Sequence, residues 1–153
     1  MDIVIIGSGN VAAVLGRKFK LAGHHILQIY SRNASAASEL AYEWDTESTN
    51  YKTMINSNAD LYLIAVNDDS ISDVIKDLRL PEKIVVHTAA SVPKEILQPV
   101  SNHFGVFYPL QSLRKEMTAI PDAPIFIDGS DEKTKAVLDK LAHSIADEKV
   151  IQA

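Results

Sequence analysis

Met1-Asp-Ile-Val-Ile-Ile-Gly7-Ser-Gly9-Asn-Val-Ala12 opens the chain and decides its fold. An apolar run leads straight into Gly-x-Gly-x-x-Ala, a dinucleotide-binding fingerprint. Each small residue has a physical reason to be there. Gly7 permits the tight turn off the strand, Gly9 lets backbone approach a pyrophosphate, and Ala12 lets the next helix lie close to the sheet. The helix beginning at Asn10 and Val11 offers its first N–H groups and a partial positive charge to phosphates, with Ser8 between the glycines completing the loop.

Around the motif, a strand is expected over residues 2–6, whose apolar run from Ile3 to Ile6 suits burial on both faces of a parallel sheet. Residues 10–22 place Val11, Val14, Leu15, Phe19 and Ala22 on one helical stripe. Gly16 sits one turn beyond Ala12, where an interior glycine costs about 1 kcal/mol relative to alanine, and close contact between helix and sheet is its expected justification. An ordinary α/β turn without a ligand uses similar glycines. The order strand, turn, helix favours the nucleotide reading.

The rest of the chain repeats this alternation. Strands are expected at residues 25–30, 61–66, 83–87, 104–108, 124–127 and 149–152, with helices over 34–44, from Ser70 past Leu78 until Pro81 stops it, over 92–97 and over 132–145. Residues 45–58 are polar, with a short strand near Tyr51 and a brief helix around Met54 and Ile55, and a long polar loop precedes Pro124. The pattern predicts an α/β fold: a doubly wound, mostly parallel Rossmann sheet with helices on both faces and ligands at the carboxyl ends of the strands.

The 153 residues, 46% hydrophobic and 23% charged, suffice for one domain. Fifteen basic against twenty acidic residues, a net charge of -5, leave no basic face for nucleic acid or an anionic membrane. The absence of cysteine removes disulfides, thiolate metal sites and thiol redox chemistry. Apolar runs are strand-sized and no basic segment precedes the first strand, so a cytoplasmic location is expected.

Cofactor choice turns on the end of the second strand, where NAD sites place Asp or Glu about 20 residues beyond the glycines for the ribose 2′-hydroxyl. Here stand Tyr30-Ser31-Arg32-Asn33. With no carboxylate to repel a 2′-phosphate and a guanidinium able to grip one, NADP (NADPH) is favoured over NAD, with Ser31 and Asn33 adding neutral hydrogen bonds. The plainer alternative is an exposed arginine opening a helix that Ser31 or Asn33 caps.

Taken in order, Gly7-Ser-Gly9-Asn-Val-Ala12, Ser31-Arg32-Asn33, Ile64-Ala-Val-Asn67-Asp68-Asp69-Ser-Ile71, His87-Thr-Ala-Ala-Ser91 and Gly105-Val-Phe-Tyr-Pro109-Leu-Gln111 resemble the N-terminal half of Rossmann-like oxidoreductases with a helical C-terminal domain of unknown function. That group is similar to deazaflavin-dependent NADP oxidoreductases, pyrroline-5-carboxylate reductases and β-hydroxyacid dehydrogenases. The resemblance implies a Rossmann half that binds NADP and a helical half that completes the substrate site and dimerises. On that reading residues 1–153 are the NAD(P)-binding domain, the helical domain is absent, and this chain alone is inactive. One departure is Ala90, which stands where the pattern has glycine.

Hydride transfer asks the protein for orientation and charge stabilisation, so its residues belong on loops after the strands. Val66, Asn67 and Asp68 are expected along the middle of the cofactor, although Asn67 and Asp68 also suit a simple turn. Thr88 is expected beside them. His87 and Tyr108 are the two acid candidates, His87 because histidine titrates near neutrality. A hydrogen-bonded strand-end histidine and a core tyrosine fit the same positions, and Gln111 is a further cleft candidate. Ser91 is expected to cap the helix after it. His24-His25 point to opposite faces of a strand, His103 and His143 lack evident companions, and Asp128, Asp131 and Glu132 suit a helix start, so no metal site is expected. The substrate is an unidentified small molecule. Two further functions fit the fingerprint: a non-catalytic NAD(P)-sensing domain, and a Rossmann interaction module that binds no nucleotide.

Overall fold

The computed structural model describes residues 1–110, 124–146 and 150–152. Strand β1 (Asp2–Ile6) feeds helix α1 (Asn10–Leu21), then β2 (His25–Tyr30), α2 (Ala34–Trp44) and the short edge strand β3 (Glu47–Thr49). The second half runs β4 (Leu61–Ile64), α3 (Ile71–Ile75), β5 (Ile84–His87), β6 (His103–Pro109), β7 (Ile125–Gly129), α4 (Glu132–Ile145) and β8 (Val150–Gln152). One sheet contains them in the order β3-β2-β1-β4-β5-β6-β7-β8. Its first six positions have the doubly wound order, and β1 lies beside both β2 and β4 at the switch point. β7 pairs antiparallel with β6, from Gly105 opposite Gly129 to Pro109 opposite Ile125, and β8 runs parallel to β7, so these two strands oppose the other six.

The two-residue period of the strands sorts the core into two layers. Ile3, Ile5, Leu61, Leu63, Val86 and Phe107 pack under α1, α2 and α4. Val4, Ile6, Tyr62, Ile64, Val85 and Phe104 face the other way, against Val74 of α3 and Leu78, Leu80, Leu97 and Val100. Helices therefore cover both faces, which is why Ile3 to Ile6 of β1 and Leu61 to Ile64 of β4 are buried without a break. Among the described residues no helix is long and apolar enough to cross a membrane.

Several local expectations are corrected by tertiary contacts. Gly16 does not serve helix-to-sheet packing. A Cβ there would stand 2.2 Å from the Trp44 indole, so the glycine admits α2 against α1. The indole is buried, and its Nε1 donates to Glu43 Oε2 at 3.0 Å while Arg17 donates to both Glu43 oxygens at 2.7 and 2.8 Å. Ala22 lies outside the apolar stripe, being the exposed C-cap of α1, and Ala12 and Ala13 are buried in its place.

The helix after Ser70 is short because the chain turns at Asp77, which has φ +63. Ser70 does not cap it with its side chain. A single 3-10 turn, Lys94–Leu97, replaces the expected helix over 92–97, entered from Pro93. The short strand lies at Glu47–Thr49 rather than Tyr51, followed by a 3-10 turn at Lys52–Met54. Helices α2 and α4 match the sequence reading end for end. The polar loop before Pro124 falls outside the described residues.

At the amino edge of the sheet, Asp131 caps α4 by accepting from the Thr134 N–H at 2.7 Å. His103, which has no companion evident in sequence, sits between Asp131 (3.1 Å) and Glu82 (3.3 Å). The Thr134 N–H and His103 hold the Asp131 carboxyl down to about 2, while Asp131 and Glu82 raise His103 above its ordinary value.

Two outcomes are expected. Gly16→Ala should lower unfolding stability by about 1–3 kcal/mol, read by urea denaturation, because overpacking against a fixed indole outweighs the roughly 1 kcal/mol of helix propensity gained. In thermal melts across pH, Asp131→Asn keeps an N-cap and loses the ion pair. The wild type should lose stability as pH falls from about 4 towards 2, where Asp131 protonates, and again as pH rises through the elevated His103 value, and the variant should flatten both limbs.

Candidate functional site

The parallel strands around β1 end at one edge, and a cleft of about 650 Å³ opens there, the size of a small-molecule cofactor site. Its floor is the turn leaving β1. Gly7 has φ +125, and a Cβ on it would lie 2.1 Å from the Ala65 carbonyl oxygen. Its N–H donates to the Tyr30 carbonyl at 2.7 Å, and the Ala65 N–H donates to Ile6 at 2.7 Å, so the ends of β1, β2 and β4 are laced together.

Gly9 differs in kind. It is the N-cap of α1 with φ -83 and ψ -162, a conformation open to any residue, and a Cβ on it would meet nothing within 4 Å. The fold therefore does not require glycine at position 9. Its missing side chain leaves room above the start of α1, on the cleft wall formed by Gly9, Asn10 and Val11. No side chain caps α1 and no acid stands in its first turn. The first intrahelical bond runs from Ala13 to Gly9, so the N–H groups of Val11 and Ala12 have no acceptor within the helix. Backbone donors without a carboxylate beside them suit an anion.

The second wall comes from the end of β2. Ser31 Oγ lies 2.7 Å from Ser8 Oγ and accepts from the Asn33 N–H at 3.1 Å, which ties the glycine loop to the next connection. Asn33 caps α2, its Oδ1 accepting from Ala36 at 3.0 Å. Arg32 is exposed on the wall, and its Nη2 donates across the cleft to Ser70 Oγ at 3.2 Å. Val66, Asn67, Asp68, Val74 and Thr88 line the opposite side. Asp68 accepts from Ser91 Oγ at 2.6 Å, so Ser91 bridges two loops instead of capping a helix.

Of the residues singled out from sequence, Gly7, Ser8, Gly9, Asn10, Val11, Ser31, Arg32, Asn33, Val66, Asn67, Asp68 and Thr88 meet on this one surface. Ala12 is fully buried beneath it, against the sheet. His87 and Tyr108 lie off the cleft wall. His87 is wholly buried, and burial lowers its pKa from the ordinary histidine value. Tyr108 stacks on Phe126 with ring centroids 4.9 Å apart. Gln111 lies outside the described residues. Sequence reasoning missed Tyr30, Ala65, Ser70, Val74 and Pro109 as cleft residues, and only Ser70 carried a signal, as a polar residue opening a helix near the strand edge.

Among the described residues no group of three His, Cys, Asp or Glu side chains is placed to hold a metal. The adjacent histidines diverge, His24 to Ser144 Oγ at 2.8 Å and His25 to Asp2 at 3.5 Å. His143 turns back on its own helix to the Asp139 carbonyl at 2.9 Å.

The two glycines separate fold from site in one measurement. Gly7→Ala should cost at least about 2 kcal/mol in denaturant melts, from a strained φ and a clash with Ala65. Gly9→Ser should leave stability unchanged or raise it by a few tenths, since serine is the better N-cap.

Comparisons with known proteins agree with this geometry. The sequence profile described as NADP oxidoreductase, coenzyme F420-dependent, matches residues 2–91, more than half of the chain. No curated protein matches. Among solved structures, the chain is similar to a candidate NADP oxidoreductase of Bacteroides fragilis, with 32% identity and a TM-score of 0.89 over 99% of this chain and 60% of that one. It shares its fold with the arogenate dehydrogenase of Synechocystis (18% identity, TM-score 0.79, 100% of this chain and 59% of that one). The pyrroline-5-carboxylate reductase of Coxiella burnetii is similar in fold too (17%, 0.75, 99% and 58%). The chain thus spans about 60% of the length of these relatives. It belongs to the NADP oxidoreductase, coenzyme F420-dependent, family, as a Rossmann-type cofactor-binding domain of NAD(P)-dependent oxidoreductases.

Proposed function

We propose that the cleft binds NADP(H) in preference to NAD(H), and that the chain is the cofactor half of an oxidoreductase moving hydride between that cofactor and a small molecule. The residues fit the group: a glycine that the fold does not need, an uncapped helix start beside it, and a cation where NAD sites have a carboxylate. The observation that carries the NADP preference is Arg32, on the cleft wall at the end of β2, with its guanidinium donating to a neutral hydroxyl rather than to an acid.

Ser31 and Asn33 already spend their oxygens on Ser8, the Asn33 N–H and the cap of α2. Arg32 is therefore the member of the trio with charge to offer a 2′-phosphate, exchanging the Ser70 hydroxyl for a charge-assisted contact. When bound, the nicotinamide group supplies the hydride chemistry. The chain's own residues bind and orient: the α1 start holds the pyrophosphate, and Asn67, Asp68 and Thr88 position the group further along the strand edge. We assign the substrate pocket and the dimer contacts to the portion of the relatives that this chain does not span, which makes the chain a binder with little turnover alone. A sensing domain without catalysis is disfavoured by family membership.

Calorimetric titration with NADPH and NADH at fixed ionic strength tests the reading. NADPH should bind more tightly. Arg32→Ala should weaken NADPH by about tenfold to a hundredfold, the worth of a charged hydrogen-bonded contact, and leave NADH nearly unchanged. Gly9→Ser should lose both ligands while staying folded. Equal loss of NADPH and NADH affinity in Arg32→Ala would defeat the NADP assignment.

A further inference from the structure

His87 ends β5 immediately before Thr88, the residue that brings this strand to the cleft wall. Its ring has no access to solvent, yet neither nitrogen is idle. Nδ1 accepts from the Ala89 N–H at 3.0 Å, and Nε2 lies 3.3 Å from the Pro93 carbonyl oxygen. An acceptor at Nδ1 requires the proton on Nε2, which then donates to Pro93. One neutral imidazole thus spans both ends of residues 89–93, the loop whose Ser91 is bonded to Asp68 on the facing connection. Thr88 itself donates its N–H to Ile64 in β4 at 3.2 Å.

We propose that His87 is a positioning residue, a neutral Nε2–H pin that sets the loop after β5 so that Thr88 and the Ser91–Asp68 bridge present a fixed wall to the bound dinucleotide. The inference rests on the cofactor reading above and gives His87 no part in proton transfer. Two features support it beyond the hydrogen bonds. Burial lowers the histidine's pKa, and the Pro93 carbonyl, the Asp68 charge and the Val92 carbonyl oppose that shift without reversing its direction. The Pro93 carbonyl also accepts from the Ile96 N–H at 3.3 Å, so the loss of this ring would fall on the buried Ala89 N–H, which donates to Nδ1.

The test uses the whole chain with His87→Asn and His87→Leu. Asparagine keeps an acceptor near the Nδ1 position, whereas leucine keeps the bulk and neither hydrogen bond. In the absence of ligand, the Ala89 amide should be protected from hydrogen exchange in wild type and His87→Asn and should exchange freely in His87→Leu. Nitrogen chemical shifts of the wild-type ring should report the Nε2–H tautomer. NADPH titration should show about a tenfold loss in His87→Leu, recovery in His87→Asn, and an unchanged NADPH-to-NADH ratio in both.

The Nδ1–H tautomer, equal Ala89 exchange in all three proteins, or undiminished NADPH affinity in a His87→Leu chain whose Ala89 amide is exposed would each overturn the proposal. If His87→Leu does not fold, the wild-type tautomer and the Asn variant decide it. A wild type that binds neither nucleotide defeats the cofactor reading instead, and the exchange pattern still judges the pin.

Discussion

The close approach of Gly7 to the Ala65 carbonyl is the constraint on which the binding edge depends. With φ at +125 and 2.1 Å between the place of a Cβ and a carbonyl oxygen, position 7 admits glycine alone. That contact turns the chain sharply off β1, draws the end of β4 against it, and aims α1 back across the sheet. The start of α1 then stands over the crevice between β2 and β4. A side chain at position 7 would push the helix start away and close off the space that Gly9 leaves open.

A second layer of constraint is polar and lies outside the site. The α1–α2 contact is admitted by Gly16, filled by the Trp44 indole and tied by Glu43, which takes both Arg17 and the indole N–H. Gln28 does similar work on the other face: it is almost wholly buried in β2, donates to the Met54 carbonyl at 2.9 Å and accepts from Asn56 at 2.8 Å. Tyr62 accepts from the Ala59 N–H at 3.2 Å. Buried polar side chains anchor the connections because a loop against the sheet has backbone groups to satisfy and no water to do it.

The site shares this economy. Hydroxyls and amides that look like ligand contacts in sequence are used mostly by the protein: Ser31 joins two loops, Asn33 caps a helix, Ser91 bridges to Asp68, and His87 pins its loop. Gly7 to Val11 and Ser31 to Asn33 meet at the cleft, with Arg32 as its cationic side chain.

The β-α-β start, the doubly wound alternation, the ends of α2 and α4, and a dozen residues that converge on one cleft are all legible in the order of the amino acids. Those features are local: strand and helix periodicity, caps and glycine turns are set by a residue and its near neighbours along the chain. Long-range packing settles the rest: Gly16 faces Trp44, Ser70 serves Arg32 rather than α3, the helix after it stops at Ile75, and His103 lies between Glu82 and Asp131. Each depends on a partner distant in sequence, and hydrogen-bonding side chains go to whichever partner packing brings within reach, a choice that no spacing along one chain encodes.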